Sequence, residues 1–108
     1  MVLGGRPAYL GPVASSLRPV LFRYQGDARR VALVGSFNHW SPRAHPLHRT
    51  GDAWEITVFL PPGSYPYAFD VDGELVRDPD RERTLEGAAG TRYSVVVVPD
   101  PSRPVRAA

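Results

Sequence analysis

Neither cysteine nor lysine occurs anywhere in this sequence. Without cysteine there is no disulfide framework and no thiolate chemistry, and nothing points to secretion. All thirteen basic residues are arginine. A GC-rich coding bias accounts for that more readily than adaptation to heat, which does not generally remove lysine. No apolar run approaches membrane length, and the stretch from Met1 to Tyr9 lacks an uninterrupted hydrophobic region of the secretory kind. A cytoplasmic location is the resulting expectation. No segment of useful length shows a helical period, and twelve prolines would break most helices that began. Internal repeats, a nucleophile elbow, a phosphate loop and a dinucleotide fingerprint are all missing as well.

What is present fits one soluble domain. The 108 residues, 43% hydrophobic and 22% charged, suffice for one core and not for two. The isoelectric point near 9.4 misleads if taken whole. Residues 1–23 and 101–108 hold five arginines and no acid, whereas residues 24–100 hold eight arginines against eleven acids, a balance of −3. The basic character lies in the tails, which excludes the clustered cations and stacking aromatics of a nucleic-acid groove.

Gly4-Gly5, Pro7, Gly11-Pro12, Ser15-Ser16 and Pro19 make residues 1–19 an irregular leader, and Pro99, Pro101 and Pro104 make 99–108 a Pro/Arg tail. Between them, 20–98 reads as strands separated by turns. Val20–Tyr24 alternates with Phe22 and Tyr24 on one side. In the strand from Arg30 to Gly35, Val31 and Leu33 are in phase with Phe37 beyond it. Residues 53–60 place Trp54, Ile56, Val58 and Leu60 on one face, and 65–71 place Tyr65, Tyr67, Phe69 and Val71 inward. Asp72-Gly73 suits a two-residue type I′ turn into a short strand at 74–76. A loop follows over 78–90, and 93–98 is the last strand. About seven short strands predict an all-β fold, an antiparallel β-sandwich, with Pro66 at an edge or bulge where no ladder N–H is needed.

Catalytic readings fail one by one. Asp70 and Asp72 share a face, as a glycosidic carboxylate pair would. The turn accounts for Asp72, however, and the alternation for Asp70. The run from Asp78 to Arg83 reads as a solvated mixed-charge turn. His39, His45 and His48 have neither helical nor zinc-finger spacing, and no cysteine completes a set, so no metal or other cofactor is expected. An enzyme is not the expectation. The inward aromatics Phe22, Trp54, Tyr67 and Phe69 read as core. Trp40 differs: it lies past the end of its strand, among polar residues. Its position alone leaves open whether the ring plugs the core or is displayed to a ligand.

Phe22-Arg23-Tyr24, Val31-Ala-Leu-Val-Gly-Ser-Phe-Asn-His-Trp40, Gly51-Asp52-Ala53-Trp54-Glu55, Leu60-Pro-Pro-Gly63, Tyr65-Pro66-Tyr67 and Val71-Asp-Gly73, closed by Asp78-Pro79, together resemble a family-48 carbohydrate-binding module. That family includes the glycogen-binding domain of the AMP-activated protein kinase beta subunit and the early-set domains of branching and debranching enzymes. The resemblance covers residues 18–98 and implies an immunoglobulin-like, early-set sandwich that binds α-1,4-linked glucan. It also implies a site. Trp40, in the Phe-Asn-x-Trp element with Asn38, matches the family's stacking tryptophan, and Thr91 matches its hydroxyl-bearing threonine. Four other positions depart from the pattern. Leu75 stands for a second stacking tryptophan, Ala68 for a lysine, Ala89 for a leucine and Tyr93 for an asparagine.

Half of the ~150–250 Å² that an aromatic buries gives about 2.5 kcal/mol at ~25 cal/mol/Å². Millimolar affinity needs about 4.1 kcal/mol, and each hydroxyl hydrogen bond adds only ~0.5–1.5 kcal/mol. Trp40 therefore needs a second platform. Tyr93, near Thr91, is the obvious substitute, and Leu75 can add apolar contact. Two expectations follow. One is a non-catalytic glucan-binding module whose partner is glycogen or a maltooligosaccharide. The other is a protein-interaction module of glycogen metabolism that has lost sugar binding and contacts an enzyme or kinase subunit. Neither involves nucleic acid or membrane.

Overall fold

The computed structural model describes residues 17–87 and 90–100. The leader up to residue 16, the tail from 101 and Ala89 lie outside the described residues. Among the described residues eight strands form: β1 (Arg18–Gln25), β2 (Val31–Gly35), β3 (His48–Thr50), β4 (Ala53–Leu60), β5 (Gly63–Val71), β6 (Glu74–Val76), β7 (Thr84–Glu86) and β8 (Arg92–Val98). A 3-10 turn, Ser36–Asn38, follows β2. The strands pair into two antiparallel sheets. The smaller has the order β1-β4-β3; the larger runs β2-β5-β8-β7, with β6 also on β5. The fold is thus the all-β sandwich that the alternation predicted. Among the described residues no helix is long and apolar enough to cross a membrane.

Period-2 alternation turns one face of each sheet inward. Phe22, Trp54, Val58 and Leu60 of the small sheet meet Val31, Leu33, Tyr67, Phe69, Val96 and Val98 of the large one. The sheets lock through aromatic edges: Phe22 meets Tyr67 at 4.9 Å and 76°, and Tyr24 meets Phe69 at 5.6 Å and 60°. Such pairs add about 0.5–1.5 kcal/mol beyond the area they bury.

β5 is the spine of the large sheet. One side pairs with β2 over 67–71; the other pairs with β8 over 63–67 and with β6 over 69–71. Pro66 sits in this central strand, not at the edge or bulge expected of it, and still costs no ladder bond. Its partner Val95 gives its N–H to Arg83 O on the far side, so the pair is a non-hydrogen-bonded one. The nitrogen of Pro66 therefore faces β2, whose last paired residue, Gly35, is opposite Tyr67. The proline falls just past the end of its neighbour, as its missing N–H requires.

Other stretches differ from expectation too, and β3 forms over His48–Thr50, where no strand is expected. Residues 78–90 are not one loop, because Thr84–Glu86 pairs with β8. Three residues, Thr84-Leu85-Glu86, are too few to carry an alternation signal, and only the free edge of β8 makes them a strand. Nor is Asp78 solvated; it is 2% exposed. Its N–H donates to Ser94 Oγ, and its carboxylate accepts from the Tyr67 hydroxyl and from Asp80 N–H. Arg81 completes the cluster, donating to Tyr67 Oη at 2.8 Å and to Leu21 O at 3.2 Å while its guanidinium covers the Phe22 ring. A buried carboxylate is tolerable only when paired in this way. The Asp72-Gly73 turn is as expected, with φ of 52° and 95°.

Candidate functional site

The site is built on the outer face of the large sheet, the face turned away from the core. Alternation brings Ala32 and Val34 of β2, Ala68 and Asp70 of β5, Leu75 of β6 and Tyr93 of β8 to it. Register arranges them in rows: Ala32 opposite Asp70 opposite Leu75, then Val34 opposite Ala68. One step beyond the last β5–β8 pair, Tyr67↔Ser94, sets Tyr93 beside Ala68.

Trp40 reaches this face by a loop that is fixed atom by atom. Asn38 Oδ1 accepts from Gly35 N–H at 3.0 Å, and its Nδ2 lies 2.9 Å from both Leu33 O and His45 Nδ1. The side chain is 7% exposed, and both its ends are engaged. Trp40 N–H then donates to Gly35 O, and Ser41 N–H to Asn38 O. His39 and Trp40 both adopt left-handed φ, 56° and 58°. For residues with a Cβ this costs about 1–2 kcal/mol each, and such strain persists only where the surroundings fix it. The loop's hydrogen bonds do so, and one of the two strained residues carries the indole ring.

That ring leans on Tyr93, with centroids 4.8 Å apart and planes at 51°. Trp40 remains 36% exposed and Tyr93 half-buried. Together they form one aromatic ledge. Ala68, at 2% exposure, lies beneath the same face, and its methyl group takes up little of the space the ledge occupies. Leu75 is 55% exposed, in the neighbouring row. Thr91 is exposed two residues before Tyr93, and its carbonyl accepts from Gly87 N–H. The structure thus brings Trp40, Tyr93, Leu75 and Thr91 to one surface. Asn38 and Ala68, by contrast, are buried beneath it.

Gly87 escaped the sequence reading. A Cβ there would come within 2.5 Å of Tyr93 Cε2, so the absent side chain is what lets the ring lie where it does. No local signal marks this, because Gly87 and Tyr93 meet only through the β7–β8 pairing.

Asp72 accepts from Arg29 and Arg30 N–H, and Asp70 from Gly73 N–H, so both carboxylates serve the backbone. Among the described residues no three His, Cys, Asp or Glu side chains could hold a metal ion. His45 packs against Phe37 and Asn38 instead.

A β-sandwich that displays an aromatic ledge on the outer face of one sheet is the make-up of a carbohydrate-binding module. Comparison with known proteins agrees. Residues 18–103 match the family described as the glycogen recognition site of AMP-activated protein kinase. The beta-1 subunit of 5'-AMP-activated protein kinase from Bos taurus is 38% identical over 81 residues, 75% of this chain and 29% of that one. The Sus scrofa beta-1 sequence is 35% identical over 85 residues, 79% of this chain and 67% of that one. A crystal structure of a maltogenic amylase from S. marinus superposes with a TM-score of 0.66 at 26% identity, covering 80% of this chain and 14% of the amylase. The chain belongs to the glycogen-recognition family of the kinase beta subunits, and it spans 29% of the length of the bovine relative.

Proposed function

We propose that this chain binds α-1,4-linked glucan, glycogen or a maltooligosaccharide, through the Trp40–Tyr93 ledge, with Leu75 and Thr91 flanking it and no chemical turnover. The single observation that carries the reading is the 4.8 Å contact between the two rings. It supplies the second platform that one tryptophan lacks. Two half-covered rings at about 2.5 kcal/mol each give about 5 kcal/mol, past the roughly 4.1 kcal/mol of millimolar affinity. Binding is accordingly weak, in the high-micromolar to millimolar range. Asn38 acts by holding the loop, and Ala68 by leaving room. The absence of cysteine fits a cytoplasmic setting.

Titration with maltoheptaose or glycogen, followed by tryptophan fluorescence, tests the reading. A saturable change that disappears in Trp40→Ala is expected. No change at millimolar sugar, or an equal change in the variant, overturns it.

One observation favours a protein partner as well. Leu21 and Phe59 are 51% and 60% exposed on the outer face of the small sheet, where Pro19 lies opposite Phe59 and Leu21 opposite Thr57. This apolar strip is on the sheet opposite the ledge, so a glycogen-metabolism enzyme or kinase subunit would dock without covering the sugar. Pull-down with such a partner that survives Trp40→Ala and fails in Leu21→Asp supports it; loss in Trp40→Ala alone counts against it.

A further inference from the structure

Beyond the ledge, the same face of the large sheet runs into a cavity of about 370 Å³ at the β2 edge, walled by Arg30, Ala32, Pro42, Arg43, Trp54 and Asp70 among others. Much of its hydrogen-bonding capacity is uncommitted. The ion pairs among the described residues are Arg23–Glu55 and Arg81–Asp78, which leaves the guanidinium groups of Arg30 and Arg43 unpaired. Asp70 gives one oxygen to Gly73 N–H at 2.8 Å, which fixes the carboxylate; its second oxygen has no partner among the described residues. Trp54 holds the one buried side-chain polar atom there without a hydrogen bond, its indole Nε1.

Placement ties this cavity to the ledge. Asp70 stands between Ala32 on the cavity side and Leu75 on the other, and the next row holds Val34 and Ala68, with Tyr93 beyond. Rows on one face are about 6.6–6.8 Å apart and strands about 4.8 Å, so the cavity begins within one or two sugar lengths of the ledge. The loop that carries Trp40 continues through Pro42 and Arg43 into the cavity wall. The chemistry is that of a neutral polyol. Arginine offers donors in a fixed fork, aspartate offers acceptors, and alanine and proline accept the C–H faces of a ring. Asp70 offsets one of the two arginines, so the wall presents donors and acceptors side by side, as hydroxyl groups require.

We propose that the glucan site extends across the large sheet into this cavity, so that a chain with one glucose on the Trp40–Tyr93 ledge places a more distant glucose between Arg43 and Asp70. The inference rests on the glucan reading above. It makes affinity depend on chain length through residues that never touch the ledge. It also gives Asp70 a task that its turn contact leaves it free to perform.

Calorimetric titration of the full chain with maltotriose and maltoheptaose tests it. One or two hydrogen bonds to charged groups make the longer sugar bind about tenfold tighter. In Arg43→Ala and in Asp70→Asn that ratio falls to about threefold or less, leaving only the gain from the longer chain's many binding registers. Arg43 is exposed, and asparagine at 70 keeps the acceptor for Gly73, so both variants fold. The chain has two tryptophans, so its indole N–H resonances give a second readout, assigned with Trp40→Phe. Maltotriose should move that of Trp40 alone, and maltoheptaose both. An unchanged ratio in both variants, with the Trp54 resonance unmoved, overturns the extension and leaves the ledge standing. Failure of the native chain to bind either sugar overturns both.

Discussion

Gly87 lies so close under Tyr93 that a methyl group on it would stand 2.5 Å from ring carbon Cε2. Gly87→Ala should therefore re-aim the Tyr93 ring and part it from Trp40 while leaving the core untouched. Glucan affinity is expected to fall at least fivefold, given that a stacked aromatic contributes about 1–3 kcal/mol. Titration reads the affinity, and near-ultraviolet circular dichroism reads the ring pair. Unaltered affinity with an altered dichroism would remove Tyr93 from the site.

Trp40→Ala separates binding from stability. The ring is 36% exposed and lies outside the hydrophobic core cluster. Losing about 2–3 kcal/mol of contact lowers glucan affinity roughly 30- to 150-fold. The denaturant midpoint should barely move, and relief of left-handed strain at 40 is not expected, since alanine keeps its Cβ. A midpoint shift comparable to that of a core truncation would mark Trp40 as a plug instead.

Asn38→Ala should do the reverse, costing stability first and affinity as a consequence. It strips Gly35 N–H and Leu33 O of buried partners at about 1–3 kcal/mol for each group left unsatisfied. A lowered denaturant midpoint with an unchanged slope is the expected outcome. Asn38→Asp should be worse, because it sets a carboxylate oxygen against Leu33 O.

Tyr67 predicts an alkaline limit to stability. Burial first, and then the hydrogen bond from its hydroxyl to Asp78, hold its pKa well above the ordinary value of 10.0. The unfolded chain releases that proton from about pH 10 upward while the folded one keeps it. The contribution is fully present below pH 10, and stability falls as pH rises beyond it. Denaturation midpoints across this range should drop faster in the native chain than in Tyr67→Phe, which has no proton there to lose. Equal slopes would show that Tyr67 titrates in the folded state.

Much of this protein was legible in its sequence, for reasons of periodicity. Strands with one wet face and one dry face must alternate, so Phe22, Trp54, Tyr67 and Phe69 declared themselves as core. The two-residue turn at Asp72-Gly73 was equally local, since its backbone needs positive φ at both positions. The Gly-Ser-Phe-Asn-x-Trp element and the Tyr-x-Tyr-x-Phe-x-Val-Asp-Gly run together disclosed the family. These are properties of neighbours along the chain.

Tertiary structure decided what depends on residues distant in sequence. Three-residue strands such as β3 and β7 exist only because β4 and β8 have edges to pair, and no local pattern encodes that. Asp78 reads as solvated from its charged neighbours, yet it is buried because Tyr67, Ser94 and Arg81 converge on it and satisfy its carboxylate. The same holds for Trp40. Its position along the chain fitted a plug and a platform equally, because a ring past the end of a strand can turn either way. Asn38 fixes the loop, Gly87 makes room for Tyr93, and the contact across 53 residues of sequence sets the ring against its partner on the open face.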